Sequence, residues 1–222
     1  IINKGTITAG KLTVEGDVLA GVKVAAISEK LTIKPTGVVN VTGSKATSKI
    51  AEVAVEKGAA KSGELTANNI VLGNVTNYGT VDGIFAVDGI FNQYAIADAA
   101  QITVNEGATL NVKTSMTTAG ITNNGNIVVD AKMTLTGNIV NNSDITVNGT
   151  LTETAADALV MAETASISVN KGATLTYDAL SANKTGVVYI ENDFVAVPAI
   201  HATSPGKQKT IAYKWSKTAP SV

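Results

Sequence analysis

Ile102-Thr-Val-Asn-Glu-Gly-Ala-Thr-Leu-Asn-Val112 reads as two short strands with apolar residues at every second position, joined at a bend around Glu106-Gly107. Its first strand recurs along the chain, at Leu12, Leu31, Val53, Val75, Ile102, Ile121, Ile145, Ile167 and Val188. The copies follow one another at intervals averaging roughly 22 residues, within the range that marks a repeat architecture. Leu31–Val41 and Ile167–Tyr177 repeat both strands, with Thr36 standing where the first stretch has Gly107. In such an architecture each unit buries its apolar face only against its neighbours.

A sister pattern, apolar-x-Asn-x-Gly/Ser-x-apolar, appears at Ile1–Ile7, Val75–Val81, Ile121–Ile127 and Ile139–Ile145. One repeat unit has room for two or three short strands with corners between them. Each strand then pairs in parallel with its counterpart one turn away. The expected fold is therefore all-β, a right-handed parallel β-helix (β-solenoid) of about nine rungs. At ~4.8 Å per rung the rod is on the order of 45 Å long. An antiparallel sandwich, the rival all-β fold, explains neither the repeat nor the recurring asparagines. Asn77 and Asn123 are expected at one repeat position, and Asn105, Asn148 and Asn170 at the next. There they can stack amide on amide or simply tolerate a tight corner. The β-helix is expected to occupy residues 1–200, followed by a capping strand or linker over 201–222.

Composition fits this reading and closes several functions. Thr (29) and Asn (19) make up more than a fifth of the 222 residues, favouring strands and bends. There is no cysteine, so neither a disulfide nor a thiolate metal site is available. Seventeen basic residues, all lysine, face 18 carboxylates. Without arginine or a basic cluster, nucleic acid is not an expected partner. No apolar run is long enough for a membrane-spanning helix. His201 is the one histidine, and no catalytic triad or metal-binding pair can be assembled around it. No cofactor, metal or catalytic residue is expected. Asp82, Asp88, Asp130 and Asp144 are the carboxylates that a polysaccharide-cleaving β-helix would have to use.

Candidate sites lie where the period breaks. The longest interval, Val75 to Ile102, reads as an insertion over 78–94 and contains a duplication, Val81-Asp-Gly-Ile-Phe85 and Val87-Asp-Gly-Ile-Phe91. Tyr78, Asp82, Phe85, Asp88, Phe91, Asn92 and Tyr94 make the aromatic-plus-polar mixture of a sugar-binding surface. On the structural alternative, Phe85 and Phe91 fill the tube and the Asp-Gly pairs are turns. In the tail, Ile211, Tyr213 and Trp215 alternate onto one face and read as a cap or an assembly contact. An outward column of Thr13, Thr32, Thr76, Thr103, Thr122 and Thr146, continued by Ser168, suggests ice binding. Thr is also simply a favoured exposed strand residue.

Through Val75–Val81, Ile121–Ile127, Ile139–Ile145 and Ile1–Ile7 the chain resembles the repeat region of filamentous-haemagglutinin-like and autotransporter passenger adhesins of bacteria. The resemblance implies a right-handed β-helix, an extracellular or cell-surface location and a role in adhesion or surface structure; it supplies no catalytic residue. The expected function is a non-enzymatic structural or adhesive segment of a bacterial surface protein or filament. The expected partners are further copies or neighbouring domains end to end, and host or environmental glycans. Ile1 begins inside a repeat motif, as a piece of a longer rod would. Carbohydrate binding or cleavage through 78–94 is the alternative, and ice binding through the Thr column a third reading.

Overall fold

In the computed structural model, described over residues 6–43, 48–95, 97–154, 159–176, 187–191 and 212–216, every strand pairing is parallel. The chain is a β-solenoid with three faces. One turn passes through Gln101–Val104 on face I, Thr109–Val112 on face II and Met116–Thr118 on face III, and returns to face I at Ile121–Asn123.

The two strands of Ile102–Val112 do not pair with each other. Ile102 lies between Phe85 and Ile121, whereas Leu110 lies between Phe91 and Ile127. The bend is a corner closed by the amide of Ala108, which donates to the Asn105 carbonyl at 3.0 Å. Gly107 sits there at φ +76°, a backbone that a Cβ would strain. On either side the residues alternate between half-buried and buried, so Ile102, Val104, Leu110 and Val112 all enter the core. Each such burial contributes roughly 1.5–3 kcal/mol.

Register corrects the expected period. The inward column of face II is Leu12, Leu31, Val53, Val75, Phe91, Leu110, Ile127, Ile145 and Ile167. Its seven stations from Val53 to Ile167 mark about seven turns roughly 19 residues apart, a shorter repeat than the sequence suggested. Ile102 and Ile121, read as members of this column, belong to face I. The slip has a local cause. The same turn closes the corner from face I to face II at Ala108 and the corner from face II to face III at Gly37 and Ala173. Gly37 donates to the Lys34 carbonyl at 2.8 Å and Ala173 to that of Asn170 at 2.9 Å. One motif therefore serves two corners a third of a turn apart.

Residues 78–94 are consequently no insertion. The interval from Val75 to Ile102 is long because the two lie on different faces, and Phe91 occupies the intervening station on face II. Upstream of this region the strands run through the corners, as Glu64–Asn77 does across all three faces; a register shift between Asn68 and Ile70 and a left-handed Asn69 (φ 55°) take up the bend. Strand continuity fuses these faces into one 17-stranded sheet, whereas face III from Ala97 onward is a separate sheet of five strands. The tail strand Ala212–Ser216 stacks in parallel on Val187–Glu191, with Tyr213 opposite Val188 and Trp215 opposite Ile190. Ile211 and His201 lie outside the described residues, as do the side chains of the tail strand.

Candidate functional site

Three rungs in the middle of face II carry the exposed aromatic groups of the described residues. Outward from the sheet stand Asn74, Thr76 and Tyr78, then Ile90, Asn92 and Tyr94, then Thr109, Asn111 and Lys113. Ile90 is 50% exposed, Tyr78 44% and Tyr94 40%. The surface is held by its own polar groups. The Ile90 amide donates to Asn74 Oδ1 at 3.0 Å, and Asn111 Nδ2 donates to Asn92 Oδ1 at 2.9 Å.

This surface gathers only part of the expected glycan-binding set. Tyr78, Asn92 and Tyr94 are on it. Phe85 and Phe91 are buried and stack inside the tube with ring centres 5.8 Å apart, so neither can meet a ligand. Asp82 points out from face III, where its carboxylate accepts from the Gly83 amide at 2.6 Å. Asp88 sits at the corner between faces I and II, ion-paired with Lys49. The sequence offered no signal for Asn74, Ile90 and Asn111, because they join Tyr94 only once the register is known.

The tyrosines meet each other face to face, with centroids 4.8 Å apart and planes at 11°. That separation equals about one rung, so the rings lie across the rod and turn their edges and hydroxyls toward solvent. The mutually covered ring faces are closed to a sugar. What the surface offers a ligand is a row of amides, hydroxyls and phenol edges beside the apolar Ile90.

Tyr78 and Tyr94 also belong to a longer column at the corner from face II to face III, formed by Lys34, Glu56, Tyr78, Tyr94, Lys113, Asp130, Asn148 and Asn170. Neighbours in it are matched. Lys34 pairs with Glu56 at 3.2 Å, Tyr78 stacks on Tyr94, and Lys113 pairs with Asp130. Asn148 Nδ2 donates to Asp130 Oδ1 at 2.5 Å, and Asn170 Nδ2 to Asn148 Oδ1 at 2.5 Å. The Lys113 ammonium, followed by the Asn148 amide, holds the Asp130 carboxyl below its ordinary range. Asp88 is likewise lowered, first by its bond from Lys49 and also by Asn105. Asp144 accepts from Ser166 Oγ at 2.5 Å. Asp82 thus stands on face III, Asp88 at the corner between faces I and II, and Asp130 and Asp144 at opposite ends of neighbouring outward rows of face II; among the described residues no three His, Cys, Asp or Glu side chains converge on a metal-sized site.

Two further expectations change with register. Thr103 and Thr122 lie on face I, while face II reads Thr13, Thr32, Ala54, Thr76, Asn92, Asn111, Val128, Thr146 and Ser168, so the expected Thr column is broken. Asn77 is an inward residue of face II, bonded through Nδ2 to Gln93 Oε1 at 3.0 Å, and Asn123 an inward residue of face I. What they share is the kind of turn, each at its own corner. Asn77 Oδ1 accepts from the Gly79 amide at 2.9 Å and Asn123 Oδ1 from that of Gly125 at 3.2 Å, which is why Asn-x-Gly recurs. Asn105 belongs to the corner between faces I and II, apart from Asn148 and Asn170.

An open groove of about 470 Å³ follows the corner from face III to face I, floored by Ala119, Gly120 and Gly137 and walled by Ile84. It contains no ionisable side chain. No known protein family, no curated protein and no solved structure matches this chain.

Proposed function

We propose that the chain is a non-enzymatic structural and adhesive segment, a β-solenoid shaft belonging to an extracellular bacterial surface protein or filament of the haemagglutinin-like or passenger type. The corner column of Lys34 to Asn170 carries this reading. Its charged, aromatic and amide side chains are used to bind one rung to the next, as a shaft requires, and its carboxylates are engaged by lysine or asparagine. Neighbouring domains or further copies then join end to end, since the terminal rung of any solenoid offers an open strand edge. Display of the chain on a non-adherent bacterium tests the proposal: cells should attach to surfaces or to one another. Cells that remain dispersed sink the adhesive part, and turnover of any polysaccharide by the purified chain sinks the non-enzymatic part.

The middle of face II favours a second reading, binding of a glycan without cleavage. Exposed Ile90, Tyr78 and Tyr94 beside Asn74, Asn92 and Asn111 supply the apolar edge and neutral hydrogen-bonding groups that a polyhydroxylated chain needs. Glycan-array binding that disappears in Tyr94→Ala supports it, and an empty array rejects it.

A further inference from the structure

We propose that face III, from Ser115 to Thr176, is an ice-binding surface. Here Thr117, Thr134, Thr152 and Thr176 stand in register on four successive strands, above the buried Met116, Met133, Leu151 and Leu175. Thr150 and Thr174 form a second column two residues earlier on the same strands. The residue pattern that suggested ice binding in the sequence was a different one, broken by register. This lattice emerges only from the pairing.

Its hydroxyls are free. Among the described residues none of these six threonine hydroxyls has a hydrogen-bond partner, in contrast to those of Thr136 and Thr154 at the adjoining corner, which donate to the carbonyls of Thr118 and Leu135 at 3.4 and 3.1 Å. Face II differs again, since its amides satisfy one another, as Asn111 and Asn92 do. Each free threonine therefore offers solvent one methyl and one hydroxyl, held on a backbone paired to its neighbours within the stack. Positions repeat at ~4.8 Å along the rod and about 6.6 Å along a strand, the geometry of paired parallel strands. The repeat along the rod lies close to an oxygen repeat of hexagonal ice, and the spacing along a strand falls somewhat short of the next. Charge also fits: Lys132 is the single ionic side chain among the described residues of these four outward rows, and ice presents a neutral lattice. Methyls spaced in this way hold water off the strand backbone, and the hydroxyls fix the water between them at lattice points.

The inference is independent of the adhesive reading, because it concerns a different face and a different ligand. Ice crystals grown in the presence of the purified chain should become faceted, and their recrystallisation should slow. The double variant Thr134→Tyr/Thr152→Tyr, which roughens the lattice, should lose both effects, while Thr146→Tyr on face II should keep them. Thr152→Lys is the second lattice variant, placing a charge at an outward strand position, and it should also lose both. Strand circular dichroism confirms the fold of each. Disc-shaped crystals with the unmodified chain overturn the proposal. So does ice shaping by folded Thr152→Lys at the unmodified level, or equal loss in Thr146→Tyr.

Discussion

Asn123 donates from Nδ2 to Asn141 Oδ1 at 2.8 Å, one rung apart and wholly inside the core. The same amide reaches the Asp144 carbonyl at 3.0 Å, and Asn141 in turn reaches that of Ser166 at 3.1 Å. Both residues occupy inward positions where the pattern otherwise demands an aliphatic side chain. Asn123→Leu should nevertheless destabilise the chain by roughly 1–3 kcal/mol, because it strands buried polar groups of Asn141, Gly125 and Asp144. Urea denaturation reads this directly; an unchanged or raised midpoint would show that the amide ladder contributes nothing.

Phe91 and Tyr94 should separate folding from binding. Phe91→Ala removes a buried ring stacked on Phe85 and should cost about 3–5 kcal/mol. Tyr94→Ala removes a half-exposed ring and should cost only the roughly 0.5–1.5 kcal/mol of its stack on Tyr78, while any glycan affinity of face II falls. The reverse ranking in thermal melts would place the wrong residue in the core.

Acid should weaken the corner column. The carboxyl of Asp130 is held below its ordinary range in the folded chain, so the unfolded chain takes up its proton first as pH falls. The stabilisation is complete above the unfolded carboxyl's titration and is lost as pH drops through the lower titration of the folded one. Melting temperatures of Asp130→Asn should depend less on pH in that window than those of the parent. Parallel curves would remove Asp130 from the account. Exposure of the pair keeps the effect small.

Gly137 should not tolerate a side chain. A Cβ there would stand 1.7 Å from the Ala119 carbonyl oxygen of the preceding turn. Gly137→Ala should therefore destabilise by about 2–3 kcal/mol. Gly16→Ala, which meets nothing within 4 Å, should be close to neutral in the same chemical-denaturation experiment.

Face membership was the part of this fold that the sequence could not state. Alternation at Ile102-Thr-Val and Leu110-Asn-Val identifies strands and their inward residues, and the recurrence of Asn-x-Gly identifies corners. Neither says which corner, since Asn105–Ala108 and Asn170–Ala173 close with the same backbone bond on different edges of the rod. An error of a third of a turn at Ile102 then created an insertion at 78–94 and a Thr column, and it hid both the Asn74–Asn111 surface and the Thr117–Thr176 lattice. The burial of Phe85 and Phe91 followed from simple alternation and was legible; the stacking of Tyr78 on Tyr94, one turn apart, required the register.

Interchangeable corners also expose such a chain to misthreading, in which one turn docks on the wrong neighbour with its aliphatic residues still inside. The column from Lys34 to Asn170 works as a proofreading key against that error. Skipping the turn of Tyr78 would set Glu56 on Tyr94 and lose the aromatic stack, and skipping that of Lys113 would set Tyr94 on Asp130 and lose the Lys113–Asp130 ion pair, while the core stayed apolar. The core makes a solenoid of this chain, and the corner side chains determine the order in which its turns are counted.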